Sequence, residues 1–165
     1  GTLNDVLLRI EAGKSPQASD KPAAAGETGV LKVSAVTWNL FDAGKNKAVF
    51  SGFDATGVPC PMRGDLLISR ANTVDLIGAV VVVEEDHPNL ILSDKILRLI
   101  PDVTRADGKY LMYAMRSRAA RSHLEGRATG TSGSMRNISQ DTIRRTPIPL
   151  PPLSEQKRIA EILDR

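Results

Sequence analysis

The sequence predicts an α+β domain, a single unit of short twisted β-strands with flanking helices. Three observations carry that class. Short β-branched runs bounded by Gly, Pro or acidic residues, such as "IGAVVVVEE", read as brief strands. One segment beginning at Gly108 switches to helical spacing of its apolar residues. No internal repeat or low-complexity linker divides the chain, and 165 residues with 41% hydrophobic side chains suffice for one core.

Each element follows from local pattern. Thr2 to Ala12 reads as a short helix or a strand, with Leu3, Val6, Leu7 and Ile10 apolar. Gly13 to Gly29, rich in Pro, Ala and Lys, reads as a loop. Val30 to Val36 alternates apolar and polar residues, which predicts a half-buried strand. A polar turn in "FDAGKNKAVF" leads into another strand, and a Gly-Asp turn precedes Leu66 to Ser69. "IGAVVVVEE" gives the strongest strand, and "DKILRLIPD" adds one ended by Pro101. "KYLMYAMRSRAARSHLEG" predicts one helix with Leu111, Met112, Met115 and Ala119 inside and Gly126 as its stop. "RATGTSGSMRNIS" reads as an exposed loop, and a short helix and an extended proline segment follow. Pro147, Pro149, Pro151 and Pro152 forbid helix before Ser154, which predicts Ser154 as the N-cap of a last helix with Ile159, Ile162 and Leu163 in one stripe.

Composition limits the function. A single cysteine, Cys60, excludes an internal disulfide framework and fits a reducing, cytoplasmic setting. The longest apolar run is too short to span a membrane. Net charge is only +3, but it is unevenly spread. Residues 1–109 carry 12 basic against 14 acidic side chains, whereas residues 110–145 carry 7 against 2. All of those seven are arginine: Arg116, Arg118, Arg121, Arg127, Arg136, Arg144 and Arg145. The bland alternative for any one of them is a solvated helix face, but an all-arginine block points to a polyanion.

Catalytic motifs fail one by one. "AGKSP" ends like a phosphate-binding P-loop, but the required upstream glycine is Leu8. Asp102 and Asp107-Gly108-Lys109 mimic a metal-dependent nuclease signature, yet too few residues separate them for the strand pair such a site needs, so they read as a surface turn. "LPPL" lacks the polar and aromatic flanks of an amino-methyltransferase loop. His87 and His123 have no ligand partner at metal spacing. Cys60, between two prolines, has no base motif and reads as a small buried side chain.

"TPIPLPPLSEQKRIAEILD" resembles the ending of a target-recognition domain in the DNA specificity subunits of type I restriction-modification systems. "VLKVSAVTWNLFD", "RGDLLISRANTVDLIGAVVVV", "LILSDKILRLIP", "YLMYAMRS" and "ATGTSGSMRNIS" agree, in the family's order. The resemblance implies a non-enzymatic reader of double-stranded DNA, with a recognition domain over 1–146 and, over 147–165, a proline-rich junction and the start of a coiled-coil spacer helix. It implies one half of a bipartite target, a second recognition domain or homodimer partner through the last helix, and methyltransferase and restriction subunits as prokaryotic partners. No cofactor is expected on this chain; S-adenosylmethionine, ATP and Mg would sit in those partner subunits. The alternatives are the recognition domain of a fused restriction-methylation enzyme, or an assembly module without its own DNA binding.

Base-reading residues vary between specificities, so the DNA candidates rest on chemistry. They are Lys14 and Ser15 on the early loop, Ser69, Arg70 and Asn72 after a strand end, and Arg127, Thr129, Thr131, Ser132, Ser134, Arg136 and Asn137 around the Gly/Ser/Thr-rich loop. Arg136→Ala is expected to weaken binding to every duplex and flatten its salt dependence. Trp38 is a candidate for stacking on a base, although a lone Trp beside a strand is more often core. Ile159, Ile162 and Leu163 are the expected partner-helix interface.

Overall fold

The computed structural model describes residues 1–38, 40–132 and 135–165. The N-terminal segment is both of its expected forms in turn: a 3-10 turn at Leu3–Val6, then β1 (Leu7–Ala12). The remaining strands are β2 (Gly29–Leu31), β3 (Asn46–Ala48), β4 (Leu66–Ser69), β5 (Ala71–Asn72), β6 (Val80–Val82), β7 (Leu90–Ile91), β8 (Ile96–Pro101), β9 (Thr129–Ser132) and β10 (Met135–Asn137). The helices are α1 (Gly108–Met115), α2 (Arg118–Arg127), α3 (Gln140–Arg144) and α4 (Leu153–Leu163). No helix among the described residues is long and apolar enough to cross a membrane.

The centre is a four-stranded sheet in the order β1-β8-β4-β6, antiparallel throughout. Side chains alternate across a strand, and here both faces are buried. Leu66, Ile68, Val80, Leu97 and Leu99 face a core shared with Leu111 and Met115 of α1. Leu67 and Val81 face a second core with Leu31, Leu90 and Leu92 from the β3-β2-β7 side. A third small sheet, β5-β10-β9, continues directly from β4.

Several expectations are corrected. The 30–36 strand ends at Leu31, because the chain turns through a 3-10 segment at Val33–Ala35 to bury Ala35 and Val36 together. The 77–85 strand pairs only over Val80–Val82, since Gly78 has φ +76. The long helix is two. Ser117 interrupts it as the N-cap of α2, accepting from Ala120 N at 3.3 Å. That break moves the buried position from Ala119 to Ala120, and α2 runs through Gly126 to Arg127. The last helix begins at Leu153 with Pro152 as its N-cap, so Ser154 is already inside it.

The proline segment is sewn into the domain. Leu3 N donates to Thr146 O at 2.9 Å, and Ile148 N to Gly1 O at 3.1 Å. Ile148 and Ala160 join the same core as α1. Asp102 and Asp107 occupy the expected turn: Asp102 Oδ1 accepts from Thr104 N at 3.0 Å, and Asp107 caps α1.

Candidate nucleic-acid interface

Two stretches far apart in sequence meet at the turn Ser93–Lys95, and a third pairs alongside the second. The first is the end of β1. A Cβ on Gly13 would lie 1.8 Å from Leu92 O, so only glycine lets the chain pass this closely. Lys14 N then donates to Leu92 O at 3.0 Å, which sets Ser15 beside Asp94. Ser15 Oγ donates to Asp94 Oδ1 at 2.5 Å and accepts from Asp94 N at 3.1 Å.

Arg70, just past β4, is the second. Its backbone N donates to Lys95 O at 3.0 Å and its Nε to Asp94 O at 2.7 Å. The third is the stretch expected to be a loop, which is instead the hairpin β9–β10. Arg136 pairs with Asn72 and Asn137 with Ala71, and Ile138 N donates to Arg70 O at 2.9 Å. Gly130, at φ +114, makes the hairpin's close backbone approach to Met135 possible. Glycines among small polar residues hid this strand pair, because glycine is poor in strands and pairing of β10 with β5 supplies the order.

Beside the Ser93–Lys95 turn lies a cleft of about 490 Å³ lined by Ser15, Lys32, Lys47, Ser93, Asp94 and Lys95. With Lys14 and Arg70 beside the turn this makes a cationic face, in which Asp94 is accompanied by Asp54 near Lys14. Lys32, Lys47 and Lys95 were missed in the sequence. Their segment is acidic on average, and only folding separates these lysines from the carboxylates that balance them. Lys47 arrives through its pairing with Val30, and Lys32 N is held by Lys45 O at 2.9 Å.

The other candidates divide. Ser69 and Asn72 are buried, at 0% and 6% exposure, and serve the turn itself. Asn72 Nδ2 donates to Ser69 Oγ at 3.3 Å, and Thr73 N donates to Asn72 Oδ1 at 2.8 Å, so neither side chain is presented on the surface. Arg127 is exposed, with Nη1 3.4 Å from His123 O. Thr129 Oγ1 lies 3.5 Å from Asn137 O across the hairpin. Thr131 and Ser132 belong to β9, and Ser134 lies outside the described residues.

Three of the seven arginines in the block, Arg116, Arg121 and Arg136, are spent on backbone carbonyls, while Arg118, Arg127 and Arg145 are exposed. Arg136 Nη2 donates to Ala128 O at 3.0 Å while its Nε is buried without a partner. Arg136→Ala would therefore damage the hairpin as well as any DNA contact. Arg116 Nη2 donates to Val80 O at 2.9 Å. Arg121 donates to Ile77 O and Glu125, and its guanidinium stacks 4.2 Å from the Trp38 ring centroid. Burial pulls both Arg116 and Arg121 below the usual arginine range. Trp38 Nε1 donates to Asp75 O at 2.8 Å, so this ring is covered rather than free to stack on a base. Arg144 reaches Asn4, and Arg145 pairs with Asp141.

On α4 the expected stripe splits. Ile159 packs on the core, while Ile162 and Leu163 remain 55% and 51% exposed.

The chain is similar to known proteins. The curated relatives include the type I restriction enzyme EcoEI specificity subunit of Escherichia coli, 30% identical over 98% of this chain and 27% of that protein. A second is the putative type I restriction enzyme MjaX specificity subunit of Methanocaldococcus jannaschii, 34% identical over 61% of this chain and 23% of its own. The chain thus spans about a quarter of the length of these relatives. Among solved structures, the S subunit of a type I restriction-modification system from M. genitalium matches 99% of this chain and 37% of its own. Its TM-score is 0.65, at 16% identity. The HsdS subunit from Thermoanaerobacter tengcongensis matches with TM-score 0.62 at 23% identity, over 99% of this chain and 36% of its own. Those two likenesses establish the fold. The type I restriction modification DNA specificity domain matches residues 2–165, and the chain belongs to that family.

Proposed function

We propose that this domain is a non-catalytic reader of double-stranded DNA, recognising one half of a bipartite target for a type I restriction-modification complex. The observation that carries the reading is the gathering of Lys14, Arg70 and Lys95 around the Ser93–Lys95 turn, with the β9–β10 hairpin paired to the strand that follows Arg70. Cations supply most of the affinity for a duplex, and hydroxyl, amide and backbone groups among them fix register and read base edges. Methyltransferase and restriction subunits are the partners this reading requires, and S-adenosylmethionine, ATP and Mg belong to them.

Arg70 and Lys95 are the residues to test. In the full-length protein assembled with its methyltransferase partner, Lys95→Ala should weaken binding to specific and random duplexes alike. It should lower the salt slope by about 0.9, the share carried by one neutralised phosphate. A slope that stays fixed after both Lys95→Ala and Arg70→Ala would refute this face as the interface.

A further inference from the structure

A carboxylate stands exposed among the cations of the Ser93–Lys95 turn and is paired with none of them. Asp94 lines the same cleft as Lys32, Lys47 and Lys95. Among the described residues no cation forms an ion pair with it. A neutral hydroxyl holds it instead. Ser15 Oγ donates to Asp94 Oδ1 at 2.5 Å and accepts from Asp94 N at 3.1 Å, and Oδ2 accepts from no described residue. Asp54, the other carboxylate of this face, is spent on its own turn, where its Oδ1 accepts from Thr56 N at 2.9 Å.

Arg70 is anchored to the same residue by a single N–H. Its Nε donates to Asp94 O at 2.7 Å, while its backbone N donates to Lys95 O at 3.0 Å and fixes the root of the side chain. Its two terminal nitrogens bond to no described residue, in contrast to those of Arg116, Arg121 and Arg136, which are spent on backbone carbonyls. A fixed acceptor and a fixed pair of donors thus stand on one turn.

Few ligands suit both. A phosphate would satisfy the guanidinium but be repelled by the carboxylate. In the major groove guanine presents two acceptors, N7 and O6, and its cytosine partner presents a donor, the N4 amino group. Adenine sets a donor beside its acceptor, and thymine offers an acceptor and a methyl group, so an A·T pair fits neither side chain as well. We propose that Arg70 and Asp94 together read one G·C base pair. The Arg70 terminal nitrogens donate to guanine N7 and O6, and Asp94 Oδ2 accepts from cytosine N4. Ser15 is a positioning residue that holds the carboxylate. Because both side chains are anchored before DNA arrives, little side-chain freedom is lost on contact. The inference rests on the proposed DNA-reading function and adds to it the identity of one base pair.

The test is selection of bound sequences from a random duplex pool, using the protein with the methyltransferase subunit proposed above. The wild-type half-site should contain a G·C pair at which Arg70→Ala lowers preference by about 5–150-fold, the range carried by one bidentate base contact. Asp94→Asn, which keeps the size and an acceptor for Ser15, should lose preference at that same pair and at no other. Ser15→Ala should act there too, more weakly. Lys95→Ala is the control, since loss of a phosphate contact weakens all sequences alike. Replacing the guanine of that pair with 7-deazaguanine, which lacks the N7 acceptor, should weaken wild-type binding about fivefold or more and leave Arg70→Ala nearly unchanged. The proposal is overturned if Arg70→Ala and Asp94→Asn keep the wild-type profile, or lose preference at different pairs. It is equally overturned if no guanine of the wild-type half-site is sensitive to 7-deaza substitution, a result that needs no variant to fold. Failure of the wild-type protein to enrich any half-site would instead overturn the DNA-reading function beneath it.

Discussion

Replacing Gly13 by alanine tests how the early loop is delivered to the cationic face. The new Cβ would sit 1.8 Å from Leu92 O and 2.2 Å from Leu92 C, far inside ordinary contact. Leu92 cannot retreat freely, for it is fully buried and its own N donates to Pro59 O at 2.9 Å. The chain must instead lift off, breaking the bond from Lys14 N to Leu92 O. Overpacking costs about 1–3 kcal/mol and a broken hydrogen bond about 1 kcal/mol. The sum, about 2–4 kcal/mol, should lower the melting temperature by roughly 4–16 °C in a domain of this size. Denaturant unfolding followed by circular dichroism measures it, and Gly126→Ala is the matched control. Gly126 lies inside α2 with open space around it, so alanine there should stabilise by about 0.5–1 kcal/mol. Gly13→Ala within about 0.5 kcal/mol of wild type would refute the close-approach argument.

Other expectations are independent of that site. Arg98 bridges Glu11 at 2.5 Å and Asp65 at 3.0 Å, all three side chains less than a quarter exposed. Arg98→Met should cost about 2–4 kcal/mol in denaturant unfolding, somewhat below the figure for a fully buried pair; a loss under about 0.5 kcal/mol contradicts it. The hold of Lys109 and Tyr113 on Asp164, at the end of α4, also has a pH signature. Lys109, then Tyr113, hold the Asp164 carboxyl below its usual range, so that contribution is present at neutral pH and lost as pH falls through the lowered value. Asp164 holds Lys109 above its usual range, so that contribution is lost only as pH rises through the raised value. A spin label at Arg165 should stay immobilised across neutral pH and loosen at both extremes. A transition between about pH 6 and 8, where only histidine ordinarily titrates, would contradict this assignment.

Strands rich in Leu and Ile, such as Leu66–Ser69 and Ile96–Pro101, were legible because their apolar pattern is local. The hairpin β9–β10 was not, since it is anchored by pairing of Met135–Asn137 with β5, more than sixty residues away. Lys14, Ser15 and Arg70 were visible as candidates, but the meeting of Ser15 and Arg70 at Asp94, with Lys14 held to Leu92 beside them, exists only through tertiary contacts. Ser69 and Asn72 looked equally suitable and are buried, because a polar residue after a strand serves a turn as readily as a ligand. The arginine block misled for a related reason. Charge alone does not distinguish a guanidinium facing solvent from one spent on a carbonyl, as in Arg116, Arg121 and Arg136. The tail from Pro147 to Leu163 was legible as a proline segment leading into a helix, but not the burial of Gln156 that ties it down.

Selection of bound sequences from a random duplex pool tests DNA reading most directly, using the protein with the methyltransferase subunit proposed above. Enrichment of one defined half-site, weakened but unchanged in sequence by Lys95→Ala, is the predicted result. A pool that emerges with no enriched sequence would contradict it.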